Sequence, residues 1–151
     1  MDGQMLNEII SGIIAGNRKR YNPTYFYGTH ERIEDVLCSF IQEYIEKTHS
    51  GKNILWTSAE DFTMELVYAI KDNTMESFRK KYHGCDLLIL DRFERIAWKK
   101  SVMKEFYEIF DELYQNSRQI ILAGSVPPKR IEGLEGRVRS ILENGMIYHV
   151  E

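Results

Sequence analysis

The stretch Cys85-Asp86-Leu87-Leu88-Ile89-Leu90-Asp91 decides the fold. Its middle is an unbroken apolar run, without the alternation of a strand that faces water on one side, so it reads as a strand buried on both faces. Strands of that kind belong to parallel sheets covered by helices on each side, and this one is expected in the interior of its sheet. Upstream, Thr24-Tyr25-Phe26-Tyr27-Gly28 and Asn53-Ile54-Leu55-Trp56-Thr57-Ser58 read as strands by their β-branched and aromatic content. Downstream, Gln119 to Gly124 and Met146 to Val150 complete a set of five.

Helical periodicity fills the intervals between the strands. Leu6, Ile9, Ile10, Ile13 and Ile14 mark one helical face, ended by Gly16 and the basic Arg18-Lys19-Arg20. Ile33, Val36, Leu37, Phe40, Ile41, Tyr44 and Ile45 mark the next, closed by His49-Ser50-Gly51. Ser58 is a polar helix start before Phe62, Leu66, Ala69 and Ile70, and Asp72-Asn73-Thr74 breaks that helix. A short helix over Met75 to Tyr82 leads through His83-Gly84 into the apolar strand. Val102, Phe106, Ile109, Phe110 and Leu113 mark another helix, and Leu134 to Leu142 the last. Strand and helix in alternation mean parallel strands joined by right-handed crossovers, an α/β fold. Ligands in this class bind at the carboxyl ends of the strands. The informative segments are therefore Thr29 to Asp35, Ser58 to Phe62, Asp91 to Ile96 and Ser125 to Lys129.

At 151 residues the chain makes one domain, with 43% hydrophobic and 12% aromatic residues to fill a core and only three prolines. The 20 Lys and Arg against 23 Asp and Glu, a net charge of −3, argue against a strongly basic nucleic-acid or membrane-surface protein. No apolar run approaches the ~18 residues of a membrane helix, and Asp2, Gln4, Asn7 and Glu8 do not open a secretory signal, so a cytoplasmic protein is expected. Cys38 and Cys85 lack partners at metal-ligand spacing, so no metal site is expected and both are read as buried thiols.

Several short strings in fixed order carry a family resemblance: Tyr21-Asn22-Pro23, Tyr25-Phe26-Tyr27-Gly28, Thr57-Ser58-Ala59-Glu60-Asp61-Phe62-Thr63, Met75 to Tyr82, Cys85 to Asp91, Gln119 to Ser125, and Pro127-Pro128-Lys129. Together they resemble the ATPase domain of the bacterial DnaA replication initiators, members of the AAA+ superfamily. The likeness runs on over Leu134 to Gly145 and so covers nearly the whole chain. It implies a P-loop NTPase-like, five-stranded parallel sheet in the order 5-1-4-3-2. It also implies a site for ATP or ADP with Mg²⁺, and protein partners among replication initiators or helicase-loading machinery. No segment after Glu151 corresponds to the family's helical lid or helix-turn-helix DNA-binding domain, so a single core over residues 1–151 is expected.

The departures from that family are as informative as the matches. A P-loop requires G-x-x-x-x-G-K-[ST], whose backbone N–H groups wrap phosphates while Lys neutralises them and Ser or Thr holds Mg²⁺. Here Gly28 is followed by Thr29-His30-Glu31-Arg32-Ile33-Glu34-Asp35, without second glycine, lysine or hydroxyl at those places, and the loop is about one residue short. Glu31, Glu34 and Asp35 are expected in the first turn of the following helix, where they would repel a phosphate. Gly51-Lys52-Asn53 is no substitute, because it precedes a strand and lacks Ser or Thr. By the resemblance Asp91 takes the Walker B position, but the second acid is Arg92. The sensor position is Ser125 and the arginine-finger position is Ile141, with Arg137 and Arg139 nearby. Gly28 and Asp91 are therefore read as vestiges of a nucleotide site, and no catalytic residue is assigned.

The remaining candidates are weighed against plainer roles. Val67, Lys99 and Lys100 occupy regions the family uses for single-stranded DNA, although the arginine two residues after Lys99 is Ser101; the plainer reading, for these lysines and for Lys80-Lys81, is a solvated face. His30, His49, His83 and His149 lack ligand spacing and receive no chemistry, while Tyr21, Tyr25, Phe26, Tyr27 and Trp56 are assigned to packing. Trp98 is either a helix-start residue covering the core or an exposed anchor for a partner. Three functions follow: a non-catalytic, DnaA-like binding or regulatory domain, which is favoured; a residual ATP/ADP binder; and a weak single-stranded-DNA-binding module.

Overall fold

The computed structural model describes residues 3–48 and 53–151, which leaves the expected helix end at His49-Ser50-Gly51, and Lys52, outside the described residues. The apolar run forms β3 (Leu87–Asp91), with every residue buried. It lies between β2 (Ile54–Ser58) and β4 (Gln119–Gly124), and β1 (Thr24–Tyr27) joins β4 to β5 (Met146–His149). All pairings are parallel, with Leu88 opposite Leu55 and Ile120, and Tyr25 opposite Leu122 and Ile147. The order β2-β3-β4-β1-β5 is the expected 5-1-4-3-2 read from the other edge.

Period-two alternation divides the strands between two cores. Tyr25, Leu88, Leu90, Ile120 and Leu122 face α4 (Ala59–Lys71), α5 (Met75–His83), α6 (Lys100–Gln115) and α7 (Gly136–Asn144). Phe26, Leu87, Ile89, Ile121 and Ala123 face α1 (Gly3–Ile14) and α3 (His30–Thr48). The first core is richly aromatic: Phe62 sits 5.2–6.3 Å from Phe78, Tyr82 and Phe106, ring centre to ring centre. Two buried groups join β1 to β4 at their bases. The Asn22 amide donates to the Arg118 carbonyl (2.7 Å) and accepts the Ile120 N–H (2.9 Å), and Gln119 Nε2 donates to the Tyr21 carbonyl (2.8 Å).

Some local readings are corrected. Arg18-Lys19-Arg20 does not merely stop α1 but opens a one-turn helix, α2 (Arg18–Tyr21), because the Asn17 side chain accepts the Arg20 N–H. Short 3₁₀ turns occupy Phe93–Ile96 and Pro128–Arg130. Cys38 is exposed, since it lies about 100° round α3 from Leu37 and off the Ile33-Leu37-Phe40-Tyr44 stripe; Cys85 is buried. Trp56 is 37% exposed, because β2 is an edge strand, paired on one side only, with β3. Among the described residues no helix is long and apolar enough to cross a membrane.

Candidate functional site

The four segments that follow β1 to β4 converge at the carboxyl ends of the strands, as parallel topology requires. A cleft of about 190 Å³ there is lined by Gly28, His30, Asp91, Arg92, Glu94 and Ser125, among others. A second cleft, of about 280 Å³, shares His30, Asp91 and Arg92 and is bounded by Trp56, Ser58, Glu60 and Asp61 from the β2 end.

Gly28 serves the packing of the segment that follows β5. Its N–H donates to the Gly124 carbonyl (3.1 Å), and Val150 N–H donates to the Tyr27 carbonyl (2.7 Å). A Cβ at Gly28 would stand 2.4 Å from the Val150 carbonyl oxygen, so only glycine allows that approach.

Asp91 closes β3 and is 6% exposed. Its Oδ1 accepts the Arg92 N–H (2.8 Å), and its Oδ2 lies 3.8 Å from His30 Nδ1. Burial holds the Asp91 carboxyl above the ordinary aspartate range, against the opposing pull of the Arg92 N–H, His30 and the Arg92 charge. Arg92 adopts a left-handed backbone conformation, φ 55°. Its side chain donates from Nε to His30 Nδ1 (3.4 Å) and approaches Glu60 (3.9 Å), which also pairs with Arg95. His30 Nε2 faces Glu34 at 3.7 Å, so the ring stands between two carboxylates. Asp91 and Arg92 are thus both held by protein groups.

The carboxyl end of β4 is filled by Glu94. Its carboxylate accepts the Ser125 N–H (3.2 Å) and hydroxyl (3.1 Å), and a Cβ on Gly124 would stand 2.3 Å from its Oε1. Tyr25, whose hydroxyl donates to the Val126 carbonyl (2.8 Å), lies beneath the same glycine. His30 and Glu94 are site residues that the sequence reading passed over. Both lie in the segments after β1 and β3, and position in the topology was the signal that could have found them.

The acidic cluster of α3 differs from its expected placement. Helix α3 begins at His30, so only Glu31 belongs to the first turn. Glu34, one turn in, faces His30, and Asp35 turns away into a separate concavity bounded by Gly3, Leu6 and Tyr148. Ile141 is half-buried and packs against the core. Arg139 donates to the Pro128 (2.7 Å) and Ile131 (2.8 Å) carbonyls, and Arg137 donates from Nε and Nη2 to the one oxygen Oε2 of Glu135. Val67 lies on the outer face of α4, 43% exposed, while Lys99 caps α6 and Lys100 begins it, both exposed. Trp98 does not cover the core: it is 72% exposed, and its ring lies against Gly133. Of the histidines, His83 pairs with Glu112 (2.8 Å) and His149 stacks on Tyr27, with ring centres 4.6 Å apart; His49 lies outside the described residues. Among the described residues no group of His, Cys, Asp or Glu is arranged to hold a metal ion.

Comparison with known proteins places this architecture. The model of the bacterial DnaA ATPase domain matches residues 4–149. The chromosomal replication initiator protein DnaA of Caldanaerobacter subterraneus subsp. tengcongensis is 39% identical over 133 residues, covering 88% of this chain and 30% of that protein. DnaA of Deinococcus deserti is 38% identical over the same length, covering 88% of this chain and 29% of that protein. Among solved structures, a replication initiator DnaA bound to AMPPCP and single-stranded DNA superimposes with a TM-score of 0.86 at 30% identity, covering 97% of this chain and 46% of that one. The DnaC helicase loader shares the fold alone, with a TM-score of 0.75 at 15% identity over 98% of this chain and 89% of that one. The chain spans about a third of the length of the curated initiators it matches. From the parallel sheet to the family match over residues 4–149, sequence and fold agree that this chain belongs to the bacterial DnaA ATPase-domain family.

Proposed function

We propose that this domain is a non-hydrolysing member of its family that acts in replication initiation by binding other proteins. The observation that carries the reading is the state of the β1 and β4 ends. No lysine follows Gly28 between Thr29 and Asp35, and the cleft there is bridged by the protein's own charges. Triphosphate binding needs free N–H groups, a close glycine backbone and a compensating cation. Glu94 takes the Ser125 N–H, the Val150 carbonyl crowds Gly28, and Arg92 is shared between His30 and Glu60. These residues do not fit a bound nucleotide with Mg²⁺, and Arg92 and Ile141 supply neither water positioning nor a finger charge.

The family's involvement in initiating replication, and the fold shared with a helicase loader, support initiators and loading proteins as the partners. Calorimetric titration with Mg-ATP and Mg-ADP is expected to give no binding heat, while the purified host initiator or helicase loader is captured by the immobilised domain. A dissociation constant in the low micromolar range for either nucleotide would favour the residual ATP/ADP binder instead.

A single-stranded-DNA role is the second reading, supported by the exposed Lys99 and Lys100 and by the solved initiator that binds such DNA. A net charge of −3 limits counterion release, so fluorescence anisotropy with a labelled oligonucleotide is expected to show weak binding at most.

A further inference from the structure

A concavity of about 570 Å³ lies away from the strand ends, between the first turns of α6 and the loop that enters α7. It falls within the size range of binding sites for organic groups. Its buried lining is apolar, from Ala97, Met103 and the half-buried ring of Tyr107. Arg137 lies over Tyr107, 4.2 Å from the ring centre, and Glu135 fixes and neutralises it through two bonds of 2.8 and 2.6 Å. Next in the chain to Ala97, Trp98 is 72% exposed and rests on Gly133, a lining residue, where a Cβ would stand 2.5 Å from the ring and φ is +77°. Glycine there lets a large aromatic lie on backbone while its other face meets solvent.

The charges on the rim have one sign to spare. Lys100 and Lys104 are four residues apart on one face of α6, a spacing at which like charges repel. Lys100 stands at the positive end of the helix dipole, which disfavours cations, and the first turn holds no acidic residue. Among the described residues neither lysine, nor the adjacent Lys99, has a carboxylate partner. Glu135 is taken by Arg137, and Glu108, one turn after Lys104, also lines the groove, so its rim keeps one net positive charge.

We propose that this groove docks a short acidic segment of a partner protein: a bulky apolar side chain fills the lined pocket while flanking aspartates or glutamates meet Lys100 and Lys104. The proposal deepens the protein-binding reading above by naming the surface and the chemistry of its partner. Exposed aromatic anchors beside desolvated pockets are where binding energy concentrates, and complementary charge orients the approach.

The test uses the full chain carrying Trp56→Phe, which leaves Trp98 as its single tryptophan. The probe is a synthetic peptide of aspartates and glutamates around one central phenylalanine. The expected result is a saturable change in Trp98 emission that weakens about tenfold or more in Lys100→Glu/Lys104→Glu, whose circular dichroism and melting match the parent. Replacing the peptide's phenylalanine by alanine is expected to weaken it similarly. Absence of saturable binding, an equal response to a lysine version of the peptide, or tighter binding of oligothymidylate at the same lysines overturns the proposal. If the peptide fails while purified initiator or loader is still captured, the groove is wrong and the protein-binding reading stands; loss of both removes that reading too.

Discussion

The Glu94 carboxylate lies directly over Gly124, so close that a Cβ there would stand 2.3 Å from its Oε1 and equally near the Tyr25 hydroxyl. Gly124→Ala is therefore expected to lower stability by about 1–3 kcal/mol, the usual cost of overpacking. Removing the carboxylate with Glu94→Ala in the same chain relieves one of the two clashes and recovers part of that loss. Urea denaturation of the two single variants and the double variant checks both statements.

Gly28 carries a comparable constraint for a reason unconnected with phosphate. The Val150 carbonyl oxygen would stand 2.4 Å from an added Cβ, and it is backbone held by the Val150–Tyr27 hydrogen bond. Gly28→Ala is expected to cost about 1–3 kcal/mol in nucleotide-free buffer. Parent stability in Gly28→Ala would remove the packing role assigned to this glycine.

Asp91 predicts a pH dependence of definite sign. Burial raises its folded pKa above the unfolded value, so its ionisation weakens the fold as pH rises through the acid range. Asp91→Asn keeps an oxygen for the Arg92 N–H and removes the buried charge. Its melting temperature is expected to exceed that of the parent by a few degrees at pH 7. The difference shrinks as pH falls through the folded and then the unfolded pKa, where the parent carboxyl is protonated in both states. Thermal melts across that range decide it, and a variant less stable than the parent at pH 7 would show that the His30 and Arg92 contacts outweigh desolvation.

The two thiols should differ sharply. Cys38 is exposed, whereas Cys85 is buried, donates from Sγ to the Tyr82 carbonyl (3.2 Å) and has its pKa pushed up to about 11, chiefly by burial. A colorimetric thiol reagent at pH 8 is expected to label one cysteine rapidly and the second only after denaturation. Cys38→Ser should abolish the rapid phase.

The fold was legible in the sequence because its signals are local. A strand buried on both faces must be apolar throughout, as Leu87 to Leu90 are, and amphipathic helices repeat their apolar residues along one stripe, as Ile33, Leu37, Phe40 and Tyr44 do. Parallel topology then places Thr29 to Asp35, Ser58 to Phe62, Asp91 to Ile96 and Ser125 at one end of the sheet. The strand order itself came with the family resemblance, since strand counting leaves it open.

What only the tertiary structure decided was how those segments use the space they share. Glu94 reaches Ser125 across 31 positions of sequence, and Arg92 reaches His30 across 62. Nothing in the local pattern distinguishes these side chains from solvated charges. Exposure of Trp56, on an edge strand, and of Trp98, lying on Gly133, likewise depended on elements that meet only in the folded chain. Residue type and spacing determine secondary structure and the direction of burial, because both act over a few residues. The partners of a charged side chain and the edge of a covering surface are set by elements distant in the chain, which come together only when the sheet has closed and the helices have docked.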